Sequence, residues 1–156
     1  MAHLVESMMY VGKSPWHGLG TPIPADKKIN VREALIAARL DWQAELRRVY
    51  TQASDGKADA GILDQFAVCR TSDNAFLGIV GRDYKPLQNQ AALEWFQPFL
   101  DANEATLETA GSLKGGRQIW VLAKIRDSYK DVRQQDTVAH YILLSNAHDG
   151  SIAVRV

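Results

Sequence analysis

The stretch Asn89-Gln90-Ala91-Ala92-Leu93-Glu94-Trp95-Phe96-Gln97-Pro98-Phe99-Leu100 decides the fold. Ala92, Leu93, Phe96, Phe99 and Leu100 recur at helical spacing and form one apolar stripe, which must be buried against something. Residues 118–125, Gln-Ile-Trp-Val-Leu-Ala-Lys-Ile, read as a strand rich in branched and aromatic side chains and supply that surface. Asn89 reads as the N-cap. Pro98 lacks the N–H that would bond the Glu94 carbonyl, so the helix kinks or restarts there. Leu93, Phe96, Phe99 and Leu100 are therefore expected to pack onto a sheet together with Leu35 and Trp120.

Upstream, a second helix is expected over 31–40. Asn30 and Glu33 have capping-box spacing, and Val31, Ala34, Leu35 and Ala38 share one face. A strand follows over 42–52, then a polar loop over 53–61, then a hairpin of strands 65–71 and 76–80 around the turn 72–75. Downstream of the central helix, period two returns over 106–113, and Lys114-Gly115-Gly116-Arg117 is a turn signal leading into the strand 118–125. Residues 126–136 are highly charged and read as a solvated loop. A last hairpin is expected from 140–145 and 151–156. A meander of strands before one helix gives an α+β fold, a mainly antiparallel sheet with two principal helices on one face. Pro15, Gly18, Gly20, Pro22 and Pro24 interrupt any pattern in residues 1–29, which read as an irregular arm preceding a single domain over 30–156.

Composition narrows the function classes. The chain has 156 residues, enough for one domain with a sizeable core. Cys69 is the only cysteine, so no disulfide framework holds it, which suits a reducing compartment and a cytoplasmic location. No apolar run approaches the ~20 residues needed to cross a bilayer. Lys plus Arg equals Asp plus Glu, 18 each, which argues against coating duplex DNA by charge alone and favours self-association into a homo-oligomer.

Several residues carry candidate chemistry. Arg47 and Arg48, on opposite faces of their strand, can make a basic patch with Arg70, Arg82 and Lys85 across the first three strands, with Tyr50, Tyr84 and Trp120 as stacking faces. Cations interleaved with aromatics are what single-strand binding needs. Set against this, solvated charges balanced by Glu45 and Asp83 are the simpler reading. Lys114 and Arg117 flank a glycine pair whose N–H groups suit an oxyanion, though an ordinary hairpin turn explains them equally. Trp16 and His17, in a glycine-rich loop, can stack on a base; the simpler and favoured reading has Trp16 closing the edge of the core. Ser145, His148 and Asp149 have hydrolase residue types but lie within one turn, so turn chemistry explains them better. The histidines are scattered and no metal-ligand spacing occurs. No cofactor and no catalytic residue is expected, and the chain reads as a non-enzyme.

Three stretches, Pro15-Trp16-His17-Gly18-Leu19-Gly20, the run from Gly78-Ile79-Val80-Gly81 through Arg82-Asp83-Tyr84-Lys85 to Pro86-Leu87-Gln88-Asn89, and Leu143-Leu144-Ser145-Asn146-Ala147-His148-Asp149-Gly150-Ser151, occur in order over the whole chain. Together they resemble the phage/plasmid-like family of prokaryotes catalogued as domain of unknown function 932, here its N-terminal half. Members of that family run longer, and this chain stops at Val156 in strand pattern, so a shortened relative is expected. The resemblance implies a role in mobile-element biology and brings no accepted catalytic residue. The order of helix, Trp42-led strand, hairpin and helix also resembles the core of single-strand annealing recombinases, on architecture alone. Two functions follow as expectations: an accessory protein that binds nucleic acid, in particular single-stranded DNA, or an inhibitor that binds a host defence protein complex of the CRISPR or restriction type. The candidate contacts for either are Trp16, His17, Arg47, Arg70, Arg82, Tyr84, Lys85, Lys114 and Arg117.

Overall fold

The computed structural model describes residues 4–126, 130–133, 136–152 and 156. The chain is α+β, with three helices and mainly antiparallel sheets among the described residues. Five strands form the larger sheet in the order β10-β7-β6-β1-β2: β1 is Val5–Val11, β2 Thr21–Ile23, β6 Ala105–Leu113, β7 Gln118–Ile125 and β10 Tyr141–Ala147. Among the described residues only β1 and β2 pair parallel. A second sheet, in the order β3-β4-β5, contains β3 (Ala44–Gln52), β4 (Ala58–Arg70) and β5 (Phe76–Gly81). Strands β8 (Lys130–Arg133) and β9 (Asp136–Val138) pair with each other.

Helix α1, Val31–Ala37, starts as its sequence dictates. The Glu33 N–H donates to Asn30 Oδ1 at 2.9 Å and the Asn30 N–H to Glu33 Oε2 at 3.1 Å. It stops short of Leu40 because Arg39 turns left-handed, φ 55°, and the Leu40 N–H closes onto the Leu35 carbonyl at 2.8 Å. The central helix restarts at the proline: α2 is Asn89–Glu94 and α3, with Pro98 in its first turn, is Gln97–Asp101. The helices lie on one face of the larger sheet. Leu35, Leu93 and Phe96 enter one core with Met9, Ala110, Val121 and Leu144, and Phe99 and Leu100 pack at its margin.

Several expectations are corrected. Residues 1–29 are not an irregular arm. β1 lies between β2 and β6, and Met9 is fully buried. Pro15, Gly18 and Gly20 lie in the loop 12–20 and Pro22 lies within the short strand β2, while the short Met8-Met9-Tyr10 run carries a strand without a long alternation to announce it. The loop expected over 53–61 ends at Lys57, where the Ala53 N–H closes the turn on the Lys57 carbonyl. The charged stretch 126–136 contains β8 rather than only loop. Trp120 is not part of the helix-facing core. Along β7, Ile119, Val121 and Ala123 are buried on that face, so Trp120, Leu122 and Lys124 point to the other. Asn89 is not an N-cap: Gln88 holds that position, without a side-chain cap bond. The strand expected over 151–156 falls at 153–155 outside the described residues. Among the described residues no helix is long and apolar enough to cross a membrane.

Candidate functional site

Three arginines of the expected basic patch, Arg47, Arg70 and Arg82, are committed to an acid or amide. Arg47 pairs with Glu45 and donates to Asn74 Oδ1 at 2.7 Å. Arg70, 12 % exposed, bonds Asp73 through two nitrogens and Glu6 through a third, at 2.7–2.9 Å, and stacks over the Trp42 ring at 5.4 Å. That hydrogen bonding holds Asp73 below the usual carboxylate range. Arg82 faces Asp64 at 3.3 Å. These pairs offset Arg47, Arg70 and Arg82, while Arg48 is exposed on the opposite face of β3 from Arg47. The Tyr84 hydroxyl donates to the Ala147 carbonyl at 3.1 Å, and burial pushes its pKa up. Lys85 is exposed.

Sequence reasoning missed a buried polar cluster that joins the two sheets. His148 is fully buried, its Nε2 lies 2.8 Å from Asn89 Oδ1, and its ring lies against Trp42 at 5.2 Å. The Asn89 amide donates to the Leu40 carbonyl at 3.0 Å. Its Oδ1 is thus left to accept, which places the proton of His148 on Nε2. Gln88 bonds both the N–H and the carbonyl of Ala44 at 2.9 Å, sealing the start of β3. The His148 N–H donates to the Arg117 carbonyl at 2.7 Å. A Cβ at Gly78 would fall 2.7 Å from the Asp149 backbone, so only glycine lets β5 approach the 146–150 turn. The signal was present in the sequence: Asn89 and His148 belong to the second and third motifs, and the structure brings those motifs into contact. Burial pushes the His148 imidazole down to about 4. Ser145 alternates with the buried Leu144 and Asn146 and so lies on the opposite face from that ring. Among the described residues no group of His, Cys, Asp and Glu is arranged to hold a metal ion.

On the other face of the larger sheet, the loop 12–20 presents aromatic groups. The Gly18 N–H closes a turn on the Pro15 carbonyl at 2.9 Å, and the Leu19 N–H donates to His17 Nδ1 at 3.1 Å. Trp16 and His17 sit at the two middle positions of that turn, edge to face at 5.7 Å. Trp16 does not close the core edge; it is 81 % exposed. A hollow of about 460 Å³ lies beside it, lined by Leu4, Val5, Met8, His17, Lys114 and Trp120 among others. Lys114, with φ 54°, and Arg117 are exposed at the β6–β7 turn. Burial alone would raise the neighbouring Asp149 carboxyl, but bonds from Ser151 and then the fields of Lys114 and Arg117 bring it below its ordinary value. The structure thus gathers Trp16, His17 and Lys114, with Arg117 on the same turn as Lys114. Arg47 lies apart from them, on the face of the second sheet that carries Glu45.

An α+β domain with paired antiparallel sheets and no metal cluster among its described residues defines the class structurally. The family model described as Domain of unknown function (DUF932) matches residues 76–156, just over half of the chain, and the chain belongs to that family. The match contains the second and third motifs and the Asn89–His148 joint; the Trp16 motif lies before it. No curated protein and no solved structure matches the chain.

Proposed function

We propose that the chain is a cytoplasmic accessory protein of phages and plasmids that binds single-stranded DNA, without catalysis, and that the Trp16 side of the larger sheet takes the strand. The observation that carries this reading is Trp16 itself, an indole 81 % exposed at the tip of a hydrogen-bonded turn. An indole held out by the backbone loses little freedom on stacking against a base. His17 packs edge to face beside it, its Nδ1 accepting from the Leu19 N–H. Lys114 and Arg117 supply cations for phosphate. Duplex DNA fits less well, because its bases are stacked away and net charge gives no general attraction.

The test is anisotropy of an end-labelled thymidine oligonucleotide with the full chain at two salt concentrations. Trp16→Ala should weaken binding at least about fivefold, the loss of one base–aromatic stack, while Lys57→Gln at the far hairpin tip leaves it unchanged. Affinity should fall with salt at a slope of about −0.7 per phosphate neutralised. Absence of binding at low salt would overturn the reading and leave the alternative, a protein that binds a host defence complex, with Trp16 as the interface anchor.

A further inference from the structure

We propose that the single-stranded DNA path continues beyond the Trp16 hollow across the open face of the larger sheet, over Trp120, Leu122 and Leu143, to a second stacking station at Tyr141 beside Lys124. This rests on the reading that the Trp16 side binds single-stranded DNA, and it adds the direction, the length and the far end of the site.

Register places these residues in rows. Met8, Gly111, Trp120 and Ser145 are cross-strand partners, as are Tyr10, Thr109, Leu122 and Leu143, and then Thr106, Lys124 and Tyr141. Alternation puts all three rows on the face opposite the helices. At the β1 side, the loop 12–20 covers this face, with Gly20 seated on Met8 and Tyr10. Towards β10 the face is open: Leu143 is 51 % exposed and Tyr141 49 %. Side chains of this size exposed in line on one sheet face mark a contact surface.

Trp120 is built to serve as a platform. A Cβ at Gly111 would collide with the Trp120 ring, so glycine is what lets the indole lie across β6. Its Nε1–H donates to Thr109 Oγ1 at 3.1 Å, which fixes the ring plane. From Trp120 to the Lys124–Tyr141 row is four strand residues, ~13 Å at ~3.3 Å each. An antiparallel sheet that stacks successive bases on aromatics along its open face is an established solution to single-strand recognition.

Charge favours a nucleic acid over a purely apolar partner. Lys114 stands at one end of the path and Lys124 at the other. The acid on the path is Glu108, half-buried, whose carboxyl burial raises above its ordinary value against the opposing pull of Lys124 and a bond with Thr106.

The experiment measures binding of a thymidine tetranucleotide and of an octanucleotide to the full chain. The variants are Tyr141→Ala, Tyr141→Phe and Trp16→Ala. Tyr141→Ala should weaken the octanucleotide at least about fivefold and leave the tetranucleotide unchanged, because the shorter strand reaches only the Trp16 end. Tyr141→Phe keeps the ring and should bind both strands as the wild type does, which separates stacking from loss of the hydroxyl or of the strand. Unchanged octanucleotide binding by Tyr141→Ala, with Trp16→Ala still weakened, would overturn this inference while leaving the Trp16 reading intact. Failure of the wild type to bind either oligonucleotide would remove both.

Discussion

At the residue scale, His148 has the most constrained chemistry in the molecule. Its Nε2–H is used by Asn89, and its Nδ1 has no hydrogen-bond partner among the described residues. A second proton would sit on a buried nitrogen with nothing to accept it. Burial therefore lowers the folded-state pKa from 6.5 to about 4. The unfolded chain binds this proton first as pH falls, so the neutral ring contributes its full stability above 6.5, and that contribution declines through the interval down to about 4. The size is roughly 3 kcal/mol at most, from about 1.36 kcal/mol per pKa unit. Denaturant titrations between pH 7 and pH 4 should show this loss in the wild type and a flatter profile in His148→Gln. A wild-type profile flat over that interval would contradict a neutral, buried His148 ring. The sequence carried Asn89 and His148 in its two most recognisable motifs. What it did not carry was their distance: 59 positions separate them, and each has a sufficient local explanation, one as a cap, the other as a turn residue. Local explanations compete well when the partner is far along the chain.

At the element scale, legibility followed periodicity and local capping. The α1 start was readable because both halves of the capping box are side chains three residues apart. The break between α2 and α3 was readable from Pro98. The β3–β4–β5 meander was readable from alternation and from the 72–75 turn. β1 was not, because its burial runs over Met8, Met9 and Tyr10 without alternating, and breakers follow at once. Trp120 was placed on the wrong face because a tryptophan in an apolar strand suggests a core residue; period two gives two faces and does not say which one the helices cover. The central helix supplies the element-scale prediction. Phe96 is fully buried at the α2–α3 break, so Phe96→Ala should cost about 3–5 kcal/mol, read as a drop in the denaturation midpoint. A cost below about 1 kcal/mol would mean that the break is not packed as described.

At the scale of the whole molecule, the two sheets divide the work. In the smaller sheet Arg47, Arg70 and Arg82 are balanced by Glu45, Glu6, Asp73 and Asp64, and the start of β3 adjoins the joint between the second and third motifs. The larger sheet buries one face under the helices and leaves the other to Trp16, Trp120 and Tyr141. Zero net charge then reads as consistent with a site that relies on stacking more than on a basic field. The candidate list from sequence contained Trp16, His17, Lys114 and Arg117, but it gave equal standing to Arg47, Arg70 and Arg82; the Arg47–Glu45 pair was legible along one strand, whereas the pairs Arg70–Glu6 and Arg82–Asp64 join residues far apart in sequence and are properties of the folded chain. The most direct measurement is photocross-linking of a halogenated-uracil oligonucleotide to the full chain, followed by peptide mapping. Cross-links should fall in the peptide containing Trp16 and His17 and, with longer strands, in the peptides containing Trp120 and Tyr141. Cross-links confined to β3–β5, around Arg47 and Arg82, would contradict the account.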